Sequence, residues 1–269
     1  MATAQTTRRF QGHVGRVNTV CFAGQDDSLV VSGGLDTTVK IWDLRAQGST
    51  KPVQTLSEAK DSITSVAVPS QGGEAGGAEV IVGSVDGRVR TYDVRMGRLT
   101  TDVLPASVTS LCLSRDARTL LVGTLDSKVR LMDRRDGGCL RTYYSDKEEM
   151  RWRNEELRVQ SVMGGGERWV VAGDEMTASS SSSSATSAEG KGNNEGRVWA
   201  WDLLTGKLVD RLAVPWGPSK KNTSVVIGRD GKEKERKNVV SCIAWKEGGF
   251  GNQFCVGGTS GVVTVFGEG

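Results

Sequence analysis

The sequence predicts an all-β fold: five repeated units, each a sheet of four short strands, stacked radially against one another. Three observations predict it. A repeated pattern, twelve residues long in its fullest copies, recurs five times in 269 residues. Glycine is abundant at 35 while proline is scarce at 5, which fits many tight turns joining short apolar runs. The strands of each unit are apolar on both sides, so no unit can stand alone in water.

The pattern is clearest in three ungapped copies: Ser32–Asp43, Val82–Asp93 and Val122–Asp133. In each, small residues lead to an aspartate (Asp36, Asp86, Asp126), a two-residue turn, and a strand closing on a bulky residue plus a second Asp. A fourth copy is Glu195–Asp202, and a fifth is Val256–Gly267, which has lost both Asp positions. Five copies at spacings of about 40–50 residues mark a repeat architecture.

A strand precedes each copy, at Val17–Phe22, Ile63–Val68, Val108–Leu113, Val159–Met163 and Val239–Trp245. Another follows each of the first four, at Val53–Leu56, Leu99–Leu104, Cys139–Tyr144 and Lys207–Val214. In the first strand Val17, Thr19 and Cys21 share one side and Val20 and Phe22 the other. A sheet with two apolar faces must be sandwiched, and radial stacking of blades in a β-propeller does this. One domain over 1–269 is expected, with repeats at about 12–57, 58–104, 105–145, 146–214 and 236–269. Arg8–Gln11 reads as the outermost strand of a further blade. Two insertions interrupt the series. Residues 176–194, with Ser179–Ser184, are too polar to bury apolar surface and are expected to be disordered. Residues 216–237 form a long charged loop, its lysines diluted by Asp230, Glu233 and Glu235.

Composition narrows the function classes. Thirty-five basic against 32 acidic residues give a net charge of +3, without the concentrated basic face of a nucleic-acid binder. No apolar run approaches the ~20 residues of a membrane span. The start, Met1 to Arg9, lacks the apolar core of a secretory signal, so an intracellular protein is expected. Five scattered cysteines (Cys21, Cys112, Cys139, Cys242, Cys255) argue against a disulfide framework or a zinc site. Cys21, Ala67 and Cys112 fill one slot in three first strands, a small core position. No glycine-rich stretch has phosphate-cradling form, since Gly164-Gly165-Gly166 is followed by no helix.

These repeats resemble the WD40 family, whose blades are braced by a hydrogen-bonded chain of Asp, His, Ser or Thr, and Trp. The resemblance implies a brace of His13, Ser32, Asp36 and Trp42 in the first repeat. Partial sets follow: Asp86 and Tyr92 with Ser84, Asp126 with Thr124, and Trp201. It also implies that the strand at 8–11 fills the vacant outermost place of the fifth blade and ties the ring shut. With His13, the single histidine, so used, no Ser-His-Asp triad or histidine metal cluster remains. Asp36, Asp86 and Asp126 recur once per unit and so are dispersed, whereas paired catalytic carboxylates must converge to about 5–9 Å. No catalytic residue, cofactor or metal is expected, and the chain is read as a non-enzyme. Binding remains. In WD40 proteins partners touch residues flanking the first strand's leading Val and the residue before each turn Asp. Here those positions are Arg16, Asn18, Leu35, Ser62, Thr64, Val85, Leu125, Arg158 and Gln160.

One stretch is more distinctive. Gly83–Gly97, with Arg9–His13, Val17–Val20 and Pro52–Leu56, looks like the mitogen-activated protein kinase organizer family of WD40 scaffolds. The match is close over residues 9–140 and weaker beyond. It implies a seven-bladed propeller that assembles ERK-cascade components and associates with the pre-mRNA splicing machinery. Five blades are recognised here, so two N-terminal blades are expected to be missing, or the ring to close imperfectly. The expected partners are proteins, with no small-molecule substrate, no membrane and no direct nucleic-acid binding. The expected location is the cytoplasm, with the nucleus a further option. The alternative is a substrate receptor of a cullin-based ubiquitin ligase. Trp42-Asp43-Leu44-Arg45 and Tyr92-Asp93-Val94-Arg95 resemble the W-D-x-R box, with Arg45 and Arg95 as docking residues. The plainer reading pairs both arginines with nearby acids at blade ends.

Overall fold

The computed structural model describes residues 6–46, 48–69, 79–145, 151–175, 195–216, 225–227, 233–235, 237–246 and 253–267. The fold is all-β, of the five-bladed β-propeller class. The chain falls into two compact units, Met1–Thr119 and Leu120–Gly269.

Each of the first four blades is an antiparallel meander of four strands. The first contains β1 (Val17–Ala23), β2 (Leu29–Gly34), β3 (Val39–Asp43) and β4 (Gln54–Leu56). The second contains β5 (Ile63–Ala67), β6 (Glu79–Ser84), β7 (Arg88–Asp93) and β8 (Arg98–Val103). β9 (Val108–Leu113), β10 (Thr119–Thr124), β11 (Lys128–Asp133) and β12 (Cys139–Tyr143) form the third. The fourth contains β13 (Ser161–Gly164), β14 (Trp169–Gly173), β15 (Gly196–Asp202) and β16 (Leu208–Val214). A separate pair, β17 (Val225–Ile227) and β18 (Glu233–Glu235), precedes the fifth blade. That blade has three strands among the described residues: β19 (Val240–Trp245), β20 (Phe254–Gly258) and β21 (Val263–Phe266).

The register explains why the repeat has its form. The turn between second and third strands needs φ > 0 at its second residue, found at Thr37, Gly87, Ser127 and Gly261. The aspartate before three of these turns is thereby aimed back across its own sheet. The first strands of blades one, two and five share a register break near their start, at Val17/Thr19, Ile63/Ser65 and Val240/Cys242. Such a bulge re-aims one side chain.

Packing between adjacent blades supplies the core. In the first unit Val31, Val39, Ile41 and Ala23 of blade one meet Ile63, Val66, Val80, Val82 and Tyr92 of blade two. In the second unit Val171, Val198 and Val214 of blade four meet Val240, Ile243 and Val256 of blade five. Each fully buried Val or Ile contributes about 1.5–3 kcal/mol. Glycines at the ends of second strands admit the neighbour. A Cβ on Gly83 would lie 2.6 Å from Val108 Cγ1, and one on Gly33 would collide with Ile63.

Two expectations are corrected. Arg8–Gln11 is not a strand. Phe10 packs at a tilt against Trp42 with ring centroids 5.2 Å apart, Arg8 donates to the Asp43 carbonyl, and Gln11 N–H donates to the Thr50 carbonyl. Ring packing thus anchors this segment beside blade one in place of a strand ladder. The 216–237 stretch is not loop throughout, because Val225–Ile227 pairs with Glu233–Glu235. Val225, Val226 and Ile227 are all β-branched, which suits them to a strand. The 176–194 insertion lies outside the described residues.

Candidate functional site

The turn acids are where the chain's polar side chains gather, and each is enclosed within its own blade. In blade one the Asp36 carboxylate lies 2.9 and 3.0 Å from His13 Nδ1 and accepts from Thr38 Oγ1 (2.9 Å) and Val14 N–H (2.8 Å). His13 Nε2 is 2.8 Å from Ser32 Oγ, which accepts Trp42 Nε1–H at 2.8 Å. A carboxylate only accepts, so Nδ1 carries the proton; Nε2 then accepts from the Ser32 hydroxyl. The chain therefore runs from Trp42 through Ser32 and His13 to Asp36, with every member satisfied. Burial alone would raise the Asp36 pKa. The hydrogen bonds from Val14, His13 and Thr38 outweigh it and hold the group at about 2.

Blades two and three achieve the same closure without histidine. Arg90 donates to Ser84 Oγ at 2.9 Å and to Asp86 Oδ2 at 2.6 Å, while Ser84 also donates to Asp86. Lys60 N–H reaches Asp86 as Val14 N–H reaches Asp36. Arg130 repeats the arrangement on Thr124 Oγ1 (2.5 Å) and Asp126 Oδ2 (2.5 Å). Burial opposes ionisation of Asp86, but Arg90, Ser84 and the Lys60 amide prevail and hold it at about 2. Asp126 is lowered in the same way by Arg130 and Thr124. The arginines were not anticipated, although the spacing Asp-x-x-x-Arg or Asp-x-x-x-Lys recurs at 36/40, 86/90 and 126/130 and carries the signal. Tyr92 is not held by Ser84 or Asp86. Its hydroxyl hydrogen-bonds Glu58, and burial first, then Glu58, push its pKa up.

Blade four departs further. Trp199 stands at the position of Lys40 and Arg90, and its indole N–H donates to buried Asp174 at 2.8 Å. Trp152 donates to the Gly173 carbonyl at 2.6 Å. Glu175, fully buried, accepts three backbone N–H groups, from Glu155, Glu156 and Leu157, at 2.8–3.0 Å. Trp201 packs edge-on to Trp152 and stacks on Trp199, yet its Nε1–H has no partner. The register gives the cause. Ser32 sits opposite Lys40, and in blade four the equivalent place opposite Trp199 is Ala172, which has no acceptor. Nothing in the sequence pattern pointed to Glu175 or Asp174. In blade five Thr259 Oγ1 takes over, bridging the Lys237 carbonyl and Val239 N–H.

In the first four repeats the closing aspartate caps a turn. Asp43, Asp93, Asp133 and Asp202 accept the backbone N–H of Arg45, Arg95, Arg135 and Thr205 at 2.7–3.0 Å. Arg45 folds its exposed side chain back onto Asp43 at 3.2 Å. Arg95 is also exposed. Among the described residues no group of three His, Cys, Asp or Glu side chains is placed to hold a metal ion. Burial pushes the Cys21 thiol up to about 11, so it stays protonated.

The proposed rim residues form an ordered ladder in the first unit. Leu35 N–H donates to the Arg16 carbonyl, Ser62 Oγ to the Leu35 carbonyl, and Val85 N–H to the Ser62 carbonyl. Ser107 Oγ continues the series onto the Val85 carbonyl at 2.7 Å. Arg16 Nε donates to Asn18 Oδ1, and Asn18 Nδ2 to the Ile63 carbonyl. Arg16 and Leu35 are exposed, while Asn18, Ser62 and Val85 are half-buried. Thr64 is not available to a partner: at the bulge its hydroxyl turns onto the Gly83 carbonyl at 3.0 Å, and the residue is buried. In the second unit Arg158 and Gln160 are exposed and Leu125 half-buried; Gln160 Oε1 accepts Ile243 N–H.

The WD domain, G-beta repeat family model matches residues 4–43, 50–93 and 99–133, the three stretches that carry these networks most completely. Over these stretches the chain carries WD40 repeats. It is similar to WD repeat domain-containing protein 83 of Rattus norvegicus, 36% identical over 167 residues, covering 62% of this chain and 42% of that protein. The WD repeat domain-containing protein 83 homolog of Dictyostelium discoideum is 31% identical over 237 residues, covering 79% of this chain and 64% of its own length. Pre-mRNA-splicing factor cwf17 of Schizosaccharomyces pombe is 31% identical over 93 residues, 35% of this chain and 25% of that protein. The chain thus spans 42% to 64% of the length of the first two relatives.

Proposed function

We propose that this chain is a non-catalytic scaffold that binds other proteins through the rim of its blades, assembling ERK-type kinase-cascade components, associating with the splicing machinery, or both. The observation that carries the reading is that the turn acids are consumed internally. Asp36, Asp86 and Asp126 each end in a closed network within one blade, so no pair of them shares a pocket. What faces solvent is a hydrogen-bonded rim presenting Arg16 and Leu35, a charged and an aliphatic side chain on a rigid base. Interface cores favour such anchors. The kinase reading rests on the resemblance to the mitogen-activated protein kinase organizer family and on the likeness to WD repeat domain-containing protein 83. The splicing reading rests on the likeness to a protein named as a splicing factor. Cytoplasmic residence, with a nuclear fraction if splicing proteins bind, belongs to the same proposal.

The test is affinity purification of the tagged chain with mass spectrometry, beside an Arg45→Ala/Arg95→Ala variant. Kinase-cascade or splicing proteins recovered equally with both chains support the scaffold. Cullin-ligase subunits recovered with the parent and lost with the variant overturn it in favour of a ligase receptor.

A further inference from the structure

Within the second unit, the strap that leads into blade four, residues 151–158, is pinned from both sides. Trp152, buried, donates its indole N–H to the Gly173 carbonyl at 2.6 Å. Ser127 N–H donates to the Asn154 carbonyl at 3.1 Å, and Asn154 N–H returns to Ser127 Oγ at 3.0 Å. Glu175 N–H donates to the Arg153 carbonyl at 3.3 Å. Three successive residues, Glu155, Glu156 and Leu157, then turn their N–H groups onto one carboxylate, that of Glu175, at 2.8, 3.0 and 2.9 Å. Successive N–H groups that converge in this way form an anion-binding nest, and here the chain supplies the anion itself.

Glu175 is 1% exposed. N–H groups of a surface loop can be satisfied by water, and taking a carboxylate out of water is costly, so its effect here is order rather than hydration. Blade one shows what that order presents. The register places Glu175 where blade one has Leu35, each two residues beyond the glycine that pairs with Val198 or Val39. Leu35 is 52% exposed, beside exposed Arg16. Glu175 turns inward instead, and the strap it holds raises Leu157, 44% exposed, beside exposed Arg158. The same pair of side chains, a leucine and an arginine, is thus offered in both units by different means.

We propose that Glu175 is the positioning residue of a second docking point, the strap tip Leu157–Arg158, and that the partner it fits is a protein with a hollow for an aliphatic side chain. The inference rests on the scaffold reading and extends it to the second unit. A loop already held in its bound shape loses little freedom on binding, and that is what the latch contributes. Three arginines against two glutamates over 151–158 make no basic stripe, so the partner is not a nucleic acid.

The experiment uses the full tagged chain. Hydrogen exchange of peptides spanning 151–160 reads the strap, and affinity purification with mass spectrometry reads docking. In Glu175→Gln a neutral amide replaces the carboxylate. Its 155–157 amides are expected to exchange about tenfold faster or more, the effect of losing a hydrogen bond to a charged group, with peptides over 29–43 unchanged. This variant should lose the same proteins as Leu157→Asp, which keeps slow exchange. In Glu175→Ala acetate replaces the deleted atoms, and acetate but not chloride is expected to restore both slow exchange and recovery, which a general loss of stability would not allow. Unchanged exchange in Glu175→Gln, fast exchange there with undiminished recovery, or fast exchange of Glu175→Ala persisting in acetate overturns the proposal. Recovery kept by Leu157→Asp but lost by Arg16→Glu/Leu35→Asp overturns it and leaves the scaffold reading standing. A parent that recovers no protein overturns both.

Discussion

Replacing Arg90 with methionine tests whether arginine in blade two does what histidine does in blade one. Arg90 is 3% exposed and bonds both Asp86 and Ser84. Removing one member of a buried ion pair costs about 3–5 kcal/mol, because the other charge is left uncompensated. Asp86 keeps its bonds from Ser84 and the Lys60 amide, which places the expected loss near the lower end, about 3 kcal/mol. Asp86→Asn relieves the stranded charge, so Arg90→Met/Asp86→Asn is expected to cost less than the two single changes together, with a coupling of about 2 kcal/mol. Arg45→Met is the control. Its side chain is 73% exposed over Asp43, and an exposed pair contributes less than about 1 kcal/mol. Urea unfolding of the full chain gives the free energies, and hydrogen exchange of peptides spanning 79–103 localises the loss to blade two. If Arg90→Met costs no more than Arg45→Met, the arginine brace is not structural and the reasoning fails.

The remaining predictions come from the same networks. Ala172→Ser gives Trp201 Nε1–H the acceptor it lacks and is expected to raise stability by about 1 kcal/mol, a gain that a thermal melt should show vanishing in a Trp201→Phe background. Thr37 is a β-branched residue at φ 62°, so Thr37→Gly is expected to stabilise by about 0.5–1 kcal/mol on urea titration. Gly87→Ala, at φ 75° with the Leu104 carbonyl 3.1 Å from the new Cβ, is expected to lose more than about 1 kcal/mol. Asp36 and Asp86 have pKa values depressed from 3.8 to about 2 in the folded chain. Their contribution is therefore complete above the ordinary value and lost as pH falls towards 2, and an Asp36→Asn variant measured over that window should show a flatter acid limb.

What was legible in the sequence was whatever repeats. The Asp36, Asp86 and Asp126 turns could be aligned because one geometry recurs, with a positive φ at the residue after each acid. Arg90 and Arg130 were legible in principle by their fixed spacing from the turn acids, but the Asp-His-Ser-Trp pattern of the first repeat contains no arginine. Blade four resisted because its brace is assembled from Trp152, Asp174, Glu175 and Trp199, which share no spacing with the other repeats. Arg8–Gln11 reads as a strand by position, but the packing of the Phe10 ring against Trp42 decides where it lies. Thr64 illustrates a different limit: the family resemblance places it on the rim as a neighbour of the strand's leading residue, and only the bulge at Ile63/Ser65 turns it inward.

The central claim separates a bracing interior from a binding rim. The most direct measurement compares partner recovery and unfolding free energy for two variants: Arg16→Glu/Leu35→Asp on the rim and Ser32→Ala in the brace. The account predicts that the rim variant loses its bound proteins while its unfolding free energy stays within about 0.5 kcal/mol of the parent. The brace variant should lose about 1–3 kcal/mol, from the stranded Trp42 and His13 nitrogens, and still recover the same proteins wherever it remains folded. Full recovery by a folded rim variant, or loss of binding that simply follows loss of stability, would contradict it.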